Sequence, residues 1–313
     1  MANARRYAVI GTGAIGGLYG ARLGAQGFDV AFLGRSDVDA LRRDGLSVTS
    51  PTGDIVLDSV TADSDPKKIG PVDVVLVTIK TTGQAALAGL LPPLVAPGTI
   101  VVLMQNGFGL EADVAALAPE ATILGGMCFV CATRTAPGRI DHLDYGGVTV
   151  GEHTDDGSPA GVTDAVEGVV ADFTQAGIEI TARADLLAAR WQKLVWNMPF
   201  NGLSVVLDAG TDEMVADTRL CVLVRALMDE VALVSVAHGH PVGDHFVDKM
   251  ITDTEAMTPY APSMKLDFDA GRPLELAAIY DAPLAVAASL DVATPHLSAL
   301  AGVLHFLGAR NRR

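Results

Sequence analysis

Tyr7-Ala-Val-Ile-Gly-Thr-Gly-Ala-Ile-Gly-Gly-Leu-Tyr19 is the stretch on which the reading of this chain turns. Tyr7 to Ile10 is a short apolar run of the kind a buried strand requires. Gly11, Gly13 and Gly16 follow at the spacing G-x-G-x-x-G, and Leu18, Ala21 and Leu23 continue with a helical period. Strand, glycine turn and helix in that order form a dinucleotide-binding signal. Gly11 serves the tight turn, Gly13 lets the backbone approach a pyrophosphate, and Gly16 permits close packing of helix on strand. Thr12, Ala14 and Ile15 complete the loop, and the helix N-terminus offers unpaired N–H groups to the phosphates.

Outward from that motif, Asp29 to Gly34 reads as the second strand. An NAD site places an acid just past this strand to hold the ribose 2′-hydroxyl. This chain has Gly34-Arg35-Ser36 instead, with Arg35 coming 19 residues after Gly16. A guanidinium forks onto a 2′-phosphate that a carboxylate would repel. A charge-assisted hydrogen bond is worth about 1.5–3 kcal/mol, or one to two decades of preference for NADP over NAD. Asp37 is close enough in sequence to blunt that charge.

Val72 to Ile79 and Thr99 to Met104 are near-continuous apolar runs, as strands covered on both faces require. They end in Lys80 and in Gln105-Asn106-Gly107. Residues just past the carboxyl ends of parallel strands lie where such sheets bind ligands. Lys80 and Asn106 are therefore site candidates, with an ordinary turn as the alternative. Leu46 to Ser50 and Asp54 to Leu57 read as a hairpin, as does Gly138 to Gly151. Ala121 to Leu124 reads as a further strand, followed later by a helix over Val162 to Ala176 and a strand over Ile178 to Thr181. Beyond Arg183, long helical patterns replace strand signals. The expected division is 1–182, an α/β dinucleotide-binding domain, and 183–313, a helical domain, packed closely with the ligand between them.

A chain of 313 residues exceeds the roughly 250–300 at which single cores stop growing. Its formal net charge of -15 opposes nucleic-acid and anionic-membrane binding, which need basic patches. An anionic cofactor must then be held by local cations and backbone dipoles. The first residues, Met-Ala-Asn-Ala-Arg-Arg, run straight toward the first strand and leave no room for a signal peptide. Charges interrupt every long apolar run, so no membrane span is expected and a cytoplasmic location is. Of three cysteines, Cys128 and Cys131 have C-x-x-C spacing in a strand-like run, where buried apolar thiols are expected rather than zinc or a redox pair. His142 is the nearest further ligand type. No metal is expected.

Ala184 to Leu203 reads as one apolar helix carrying Lys193, Asn197 and Asn201 at i, i+4 and i+8. That spacing puts them on one stripe, which either faces solvent or must be satisfied inside. Two asparagines in one helix are costly, and Pro199 removes the N–H that would bond the Val195 carbonyl and is expected to bend the helix. Ser263, in Pro262-Ser-Met264, is a further polar candidate. Glu275 reads as a first-turn acid after a helix-starting Pro273. His238 and His240 flank a glycine at a helix end, and His245, His296 and His305 have no acid at useful spacing.

These residues together make the chain similar to the ketopantoate reductase family. The resemblance covers nearly the whole length. It is carried by Gly11-Thr-Gly-Ala-Ile-Gly16, Arg35, Val77-Thr-Ile-Lys80, Gln105-Asn-Gly107, Trp191-Gln-Lys-Leu194 with Asn197 and Asn201, Pro262-Ser-Met264 and Pro273-Leu-Glu275. The glycine motif is common to many families; the tryptophan–lysine–asparagine run with a later glutamate is far more specific. The resemblance implies an N-terminal Rossmann domain, a doubly wound sheet, followed by an all-α C-terminal domain. It implies NADPH-dependent reduction of 2-dehydropantoate to pantoate, on the route to pantothenate and coenzyme A. Lys193 would be the general acid and Glu275 would bind the substrate hydroxyl and hold the lysine. Asn106, Asn197, Asn201 and Ser263 would bind substrate, Lys80 and Asn106 would lie near the nicotinamide, and Arg35 on the 2′-phosphate.

Three positions depart from the family's pattern. Gly202-Leu-Ser204 replaces Pro-Leu-Thr, Tyr280 stands where a polar residue, often asparagine, is usual, and Trp196 is bulkier than its counterparts. Expected to lie near the substrate, they keep open a different small 2-keto acid reduced by the same chemistry. An NADP(H)-binding redox sensor without turnover is the reading of another class, and a flavin enzyme is disfavoured by Arg35. A homodimer is compatible with the sequence.

Overall fold

The computed structural model describes residues 5–259 and 261–311; most of the segment ahead of the first strand lies outside them. The chain divides into two units. One comprises residues 5–105 and 110–186, the other residues 106–109 and 187–311. The division falls four residues past the expected 182, and the short Asn106–Gly109 segment belongs to the helical unit rather than to the sheet it follows in sequence.

The first unit holds a ten-stranded sheet. Its strands are β1 (Arg6–Ile10), β2 (Asp29–Leu33), β3 (Leu46–Thr49), β4 (Ile55–Leu57), β5 (Thr61–Asp63), β6 (Val74–Val77), β7 (Ile100–Leu103), β8 (Thr122–Ala136), β9 (Arg139–Glu152) and β10 (Ile180–Ala182). The order is β4-β3-β9-β8-β7-β6-β1-β2-β5, with β10 pairing β9. From β5 through β8 every pairing is parallel. Chain order reverses at β1, which lies between β2 and β6, so the glycine turn after β1 sits at the crossover point where such sheets bind nucleotides. β1, β6 and β7 are nearly all buried, which explains their unbroken apolar composition.

The hairpin read as Gly138 to Gly151 is longer than its sequence signal. β8 and β9 pair antiparallel over almost their whole lengths, and the register shifts at three places. Gly138, at φ 68, is the turn between them rather than the start of an arm. The β3–β4 hairpin forms as read, but β3 pairs with β9 at the far edge of the sheet. Cys131 is buried and Cys128 half-buried, and neither is joined in a disulfide. His142 is taken up by Ser50 Oγ at 2.8 Å from Nδ1. Among the described residues no cluster of His, Cys, Asp or Glu suited to a metal is present, and no helix is long and apolar enough to cross a membrane.

The second unit is helical, with an apolar core around Trp191, Met198, Phe200, Met228 and Tyr280. Its central helix runs Leu186–Leu207, offset from the expected 184–203, and continues through Pro199. Two of the histidines expected to lack acids acquire them from the fold: His296 Nδ1 lies 2.6 Å from Glu230 and His305 Nε2 lies 2.8 Å from Asp281. His245 lies 3.7 Å from Asp248, three residues further along the chain. Glu230 also accepts the His296 and Leu297 N–H groups, capping the helix Pro295–Asn311.

Candidate functional site

The glycine loop of the first unit is shaped by space rather than by side chains. Gly11 has φ 107, a conformation that L side chains rarely adopt. A Cβ on Gly16 would lie 2.0 Å from the Gly11 carbonyl oxygen and 2.5 Å from Thr78 Oγ1. A Cβ on Gly13 would meet nothing within 4 Å. Gly13 is the N-cap of the helix Ala14–Ala25 and supplies no side-chain cap. Open space, glycine backbone and uncapped N–H groups at a helix start fit a pyrophosphate. Thr78 was not legible as part of this loop; its hydroxyl donates to the Ile10 and Gly11 carbonyls, both at 3.0 Å, and pins β6 to the turn.

Arg35 is exposed, as is Lys80, which precedes a 3-10 turn over Thr81–Ala86. Asp37 has partners of its own. It is 3% exposed, and its carboxylate accepts from Ser36 Oγ at 2.8 Å, from Thr12 Oγ1 at 3.2 Å and from Arg134. Burial pushes this carboxyl up, but the hydrogen bonds from Ser36, Arg134 and Thr12, with the charge of Arg134, outweigh it and hold the group below the usual carboxylate range.

In the second unit the polar stripe does not face water. Asn197 is 3% and Asn201 2% exposed, and Lys193 is half-buried. Asn197 Nδ2 lies 3.4 Å from Asn106 Oδ1. Asn201 Oδ1 accepts the Met264 N–H at 3.3 Å, serving an early N–H of the helix Ser263–Asp269, at whose first position Ser263 stands. Asn106 is brought there by its own segment. Gly107, at φ 114, lets the backbone pass Ala278, where a Cβ would come within 2.5 Å, and the Phe108 N–H bonds the Ala278 carbonyl at 2.9 Å. Phe108 packs on Trp191 with ring centroids 4.5 Å apart and the planes tilted by 37°.

Glu275 is buried, at 6% exposure, but not in a first turn. Pro273 and Glu275 precede the helix, whose first bond runs from the Ile279 N–H to the Glu275 carbonyl. A π-turn, Ala277–Asp281, follows at once and carries Tyr280; such turns cluster at functional sites. Glu275 is thus held at a helix entrance rather than inside it, and both Lys193 and Glu275 have interaction partners in the fold.

Two departures from the family's pattern prove to be one. The Tyr280 hydroxyl donates to the Met198 carbonyl at 2.5 Å and takes the Gly202 N–H, the two ends of one helical step. A Cβ on Gly202 would come 2.4 Å from that hydroxyl. Proline at 202 would lack the N–H and put its ring on the oxygen, so tyrosine at 280 and glycine at 202 require each other. Burial pushes the Tyr280 hydroxyl far above its ordinary pKa, keeping it a neutral donor. Trp196 is anchored elsewhere: its Nε1 donates to Thr254 Oγ1 at 3.1 Å, and its ring packs on Phe200.

A glycine loop at the crossover of a doubly wound sheet, in a chain with a second unit that buries amides along a lysine-bearing helix, defines a dinucleotide-dependent oxidoreductase. The family follows from comparison. The ketopantoate reductase PanE/ApbA family matches residues 7–155 and its C-terminal counterpart residues 185–308; the chain belongs to the ketopantoate reductase family. A 2-dehydropantoate 2-reductase of Nostoc sp. is 46% identical over 310 residues, covering 99% of this chain and 97% of that protein. The 2-dehydropantoate 2-reductase structure from Geobacter metallireducens superposes with TM-score 0.91 at 41% identity, covering 96% of this chain and 99% of the other. That from Methylococcus capsulatus gives 0.89 at 36% identity, covering 98% of each.

Proposed function

We propose that this chain reduces 2-dehydropantoate to pantoate with NADPH. The observation that carries this reading is the burial of Asn197 and Asn201 on the stripe they share with Lys193. Buried amides on a helix are kept where something polar needs them, and family membership supplies the substrate class. NADPH, when bound, supplies the hydride. Its pyrophosphate suits the loop Gly11-Thr12-Gly13-Ala14-Ile15-Gly16, its 2′-phosphate Arg35, and its nicotinamide end Lys80 and Asn106.

The remaining chemistry belongs to the second unit. As the keto carbon accepts hydride, its oxygen gains negative charge and must take a proton. Lys193 holds that proton on Nζ and delivers it, the ordinary work of a general acid. Glu275 receives the substrate hydroxyl and holds the ammonium in place. Asn197, Asn201, Asn106 and Ser263 hold the substrate's polar groups, fixing the carbonyl against rotation. The product enters pantothenate and coenzyme A synthesis.

An NADPH-oxidation assay over a panel of 2-keto acids tests this. Ketopantoate is expected to show the highest kcat/KM. The linked Gly202 and Tyr280 favour one specific alternative, another small 2-keto acid, which would then outrank it. Absence of turnover with every member would leave a nucleotide-binding protein.

A further inference from the structure

The geometry points to a second guanidinium in the site for the adenosine 2′-phosphate: Arg134, carried by the long hairpin and tethered by Asp37. This rests on the NADP reading above and adds a residue to it. The tether joins three segments. Asp37 is engaged by Arg134, by Thr12 of the glycine loop and by Ser36, the residue after Arg35. Two of them, the glycine loop and the turn after β2, are the segments that flank an adenosine ribose in a doubly wound fold. A second contact places the hairpin independently. Arg134 stands opposite Ile140 in the β8–β9 register, and Ile140 Cδ1 lies 2.8 Å from where a Cβ on Gly17 would be. The hairpin end therefore rests on the first turn of the helix that follows the glycine loop.

The electrostatics agree. The Arg134 side chain is 41% exposed, whereas that of Asp37 is 4% exposed. Its recorded bond to Asp37 is made through one terminal nitrogen, which leaves the rest of the guanidinium fork available. The buried carboxylate is consumed by its donors rather than presented to a phosphate. Arg35 stands two residues before Asp37, so the same turn carries a second guanidinium on a chain whose net charge is -15. A phosphate dianion is the ligand that such a paired fork suits.

Calorimetric binding of adenosine 2′,5′-bisphosphate and of 5′-AMP to the full chain reads the phosphate without turnover. The wild type is expected to prefer the bisphosphate by tenfold or more. Arg134→Gln should narrow that preference by about tenfold while AMP affinity stays constant, and Arg134→Lys should restore part of it. Full retention of the preference in Arg134→Gln overturns the assignment, as does equal loss of both nucleotides, the mark of a merely structural tether. A wild type indifferent to the 2′-phosphate refutes the NADP reading itself, and Arg134 falls with it.

Discussion

The glycine loop of the first unit and the asparagine helix of the second hold polar groups in apolar surroundings with opposite materials. Around Gly13 the available donors are backbone N–H groups at a helix start, and the side chains are absent by design of the sequence. Around Asn197 and Asn201 the polar groups are side chains on a long helix. The loop's donors lie within ten residues of chain, with Thr78 bracing it from the end of β6. The helix is completed by remote pieces: Asn106, 91 residues from Asn197, Met264, 63 from Asn201, and Tyr280, 82 from Met198. A backbone site thus carries its donors in its own loop, whereas a side-chain site depends on every segment that closes around it.

That contrast can be broken most sharply at Lys193. Lys193→Ala is expected to lower kcat by about 10²–10⁴-fold with NADPH binding, followed by fluorescence, at the wild-type level. Unchanged turnover would remove the lysine from the chemistry, and lost NADPH binding would make the two sites one. Next in size, Arg35→Ala is expected to erase about one to two decades of NADP-over-NAD preference in kcat/KM; an unaltered ranking would show that the phosphate is held elsewhere.

The Tyr280–Gly202 pair tests the dependence on remote segments. Tyr280→Phe is expected to cost about 1–3 kcal/mol in denaturant unfolding, because two backbone groups lose a buried partner. Gly202→Ala should cost about as much through overpacking against the hydroxyl and Leu300. The double variant should be less damaged than the sum, and additivity within about 0.5 kcal/mol would show the contact to be incidental.

The smallest effect concerns the first unit. His142 is 3% exposed. Burial pulls its pKa down, and so does Arg22, against the carbonyls of Tyr145 and Asp144. A base with a lowered folded pKa contributes its full stability above the unfolded value, near 6.5, and loses it as pH falls from there. Tm should therefore decline between pH 7 and 5, and His142→Gln should flatten that slope. A wild-type slope in the variant would assign the titration to another group.

Much of the first unit was legible because its signals are local. The glycine spacing, the apolar runs of β1, β6 and β7, and the β3–β4 turn each draw their meaning from a few neighbours along the chain. The misreadings arose where tertiary contact overrode local pattern. Glu275 reads as a first-turn acid after Pro273, yet the helix begins only past it, at Leu276 and the π-turn that carries Tyr280. Asp37 reads as a neighbour of Arg35 alone, and the sequence gives no hint that Arg134 arrives from 97 residues away to bind it. His296 and His305 read as unpartnered because their acids lie 66 and 24 residues off.

By itself the sequence determined what short-range periodicity and steric need dictate: a Rossmann sheet, its glycine turn, and one helix bearing a lysine and two asparagines in a line. Only the tertiary structure decided that this line is buried, that Asn106 leaves the sheet to join it, and that Gly202 and Tyr280 form one device. Backbone geometry propagates from residue to neighbouring residue. Burial and hydrogen-bond partnership belong to segments that meet only when the chain has folded.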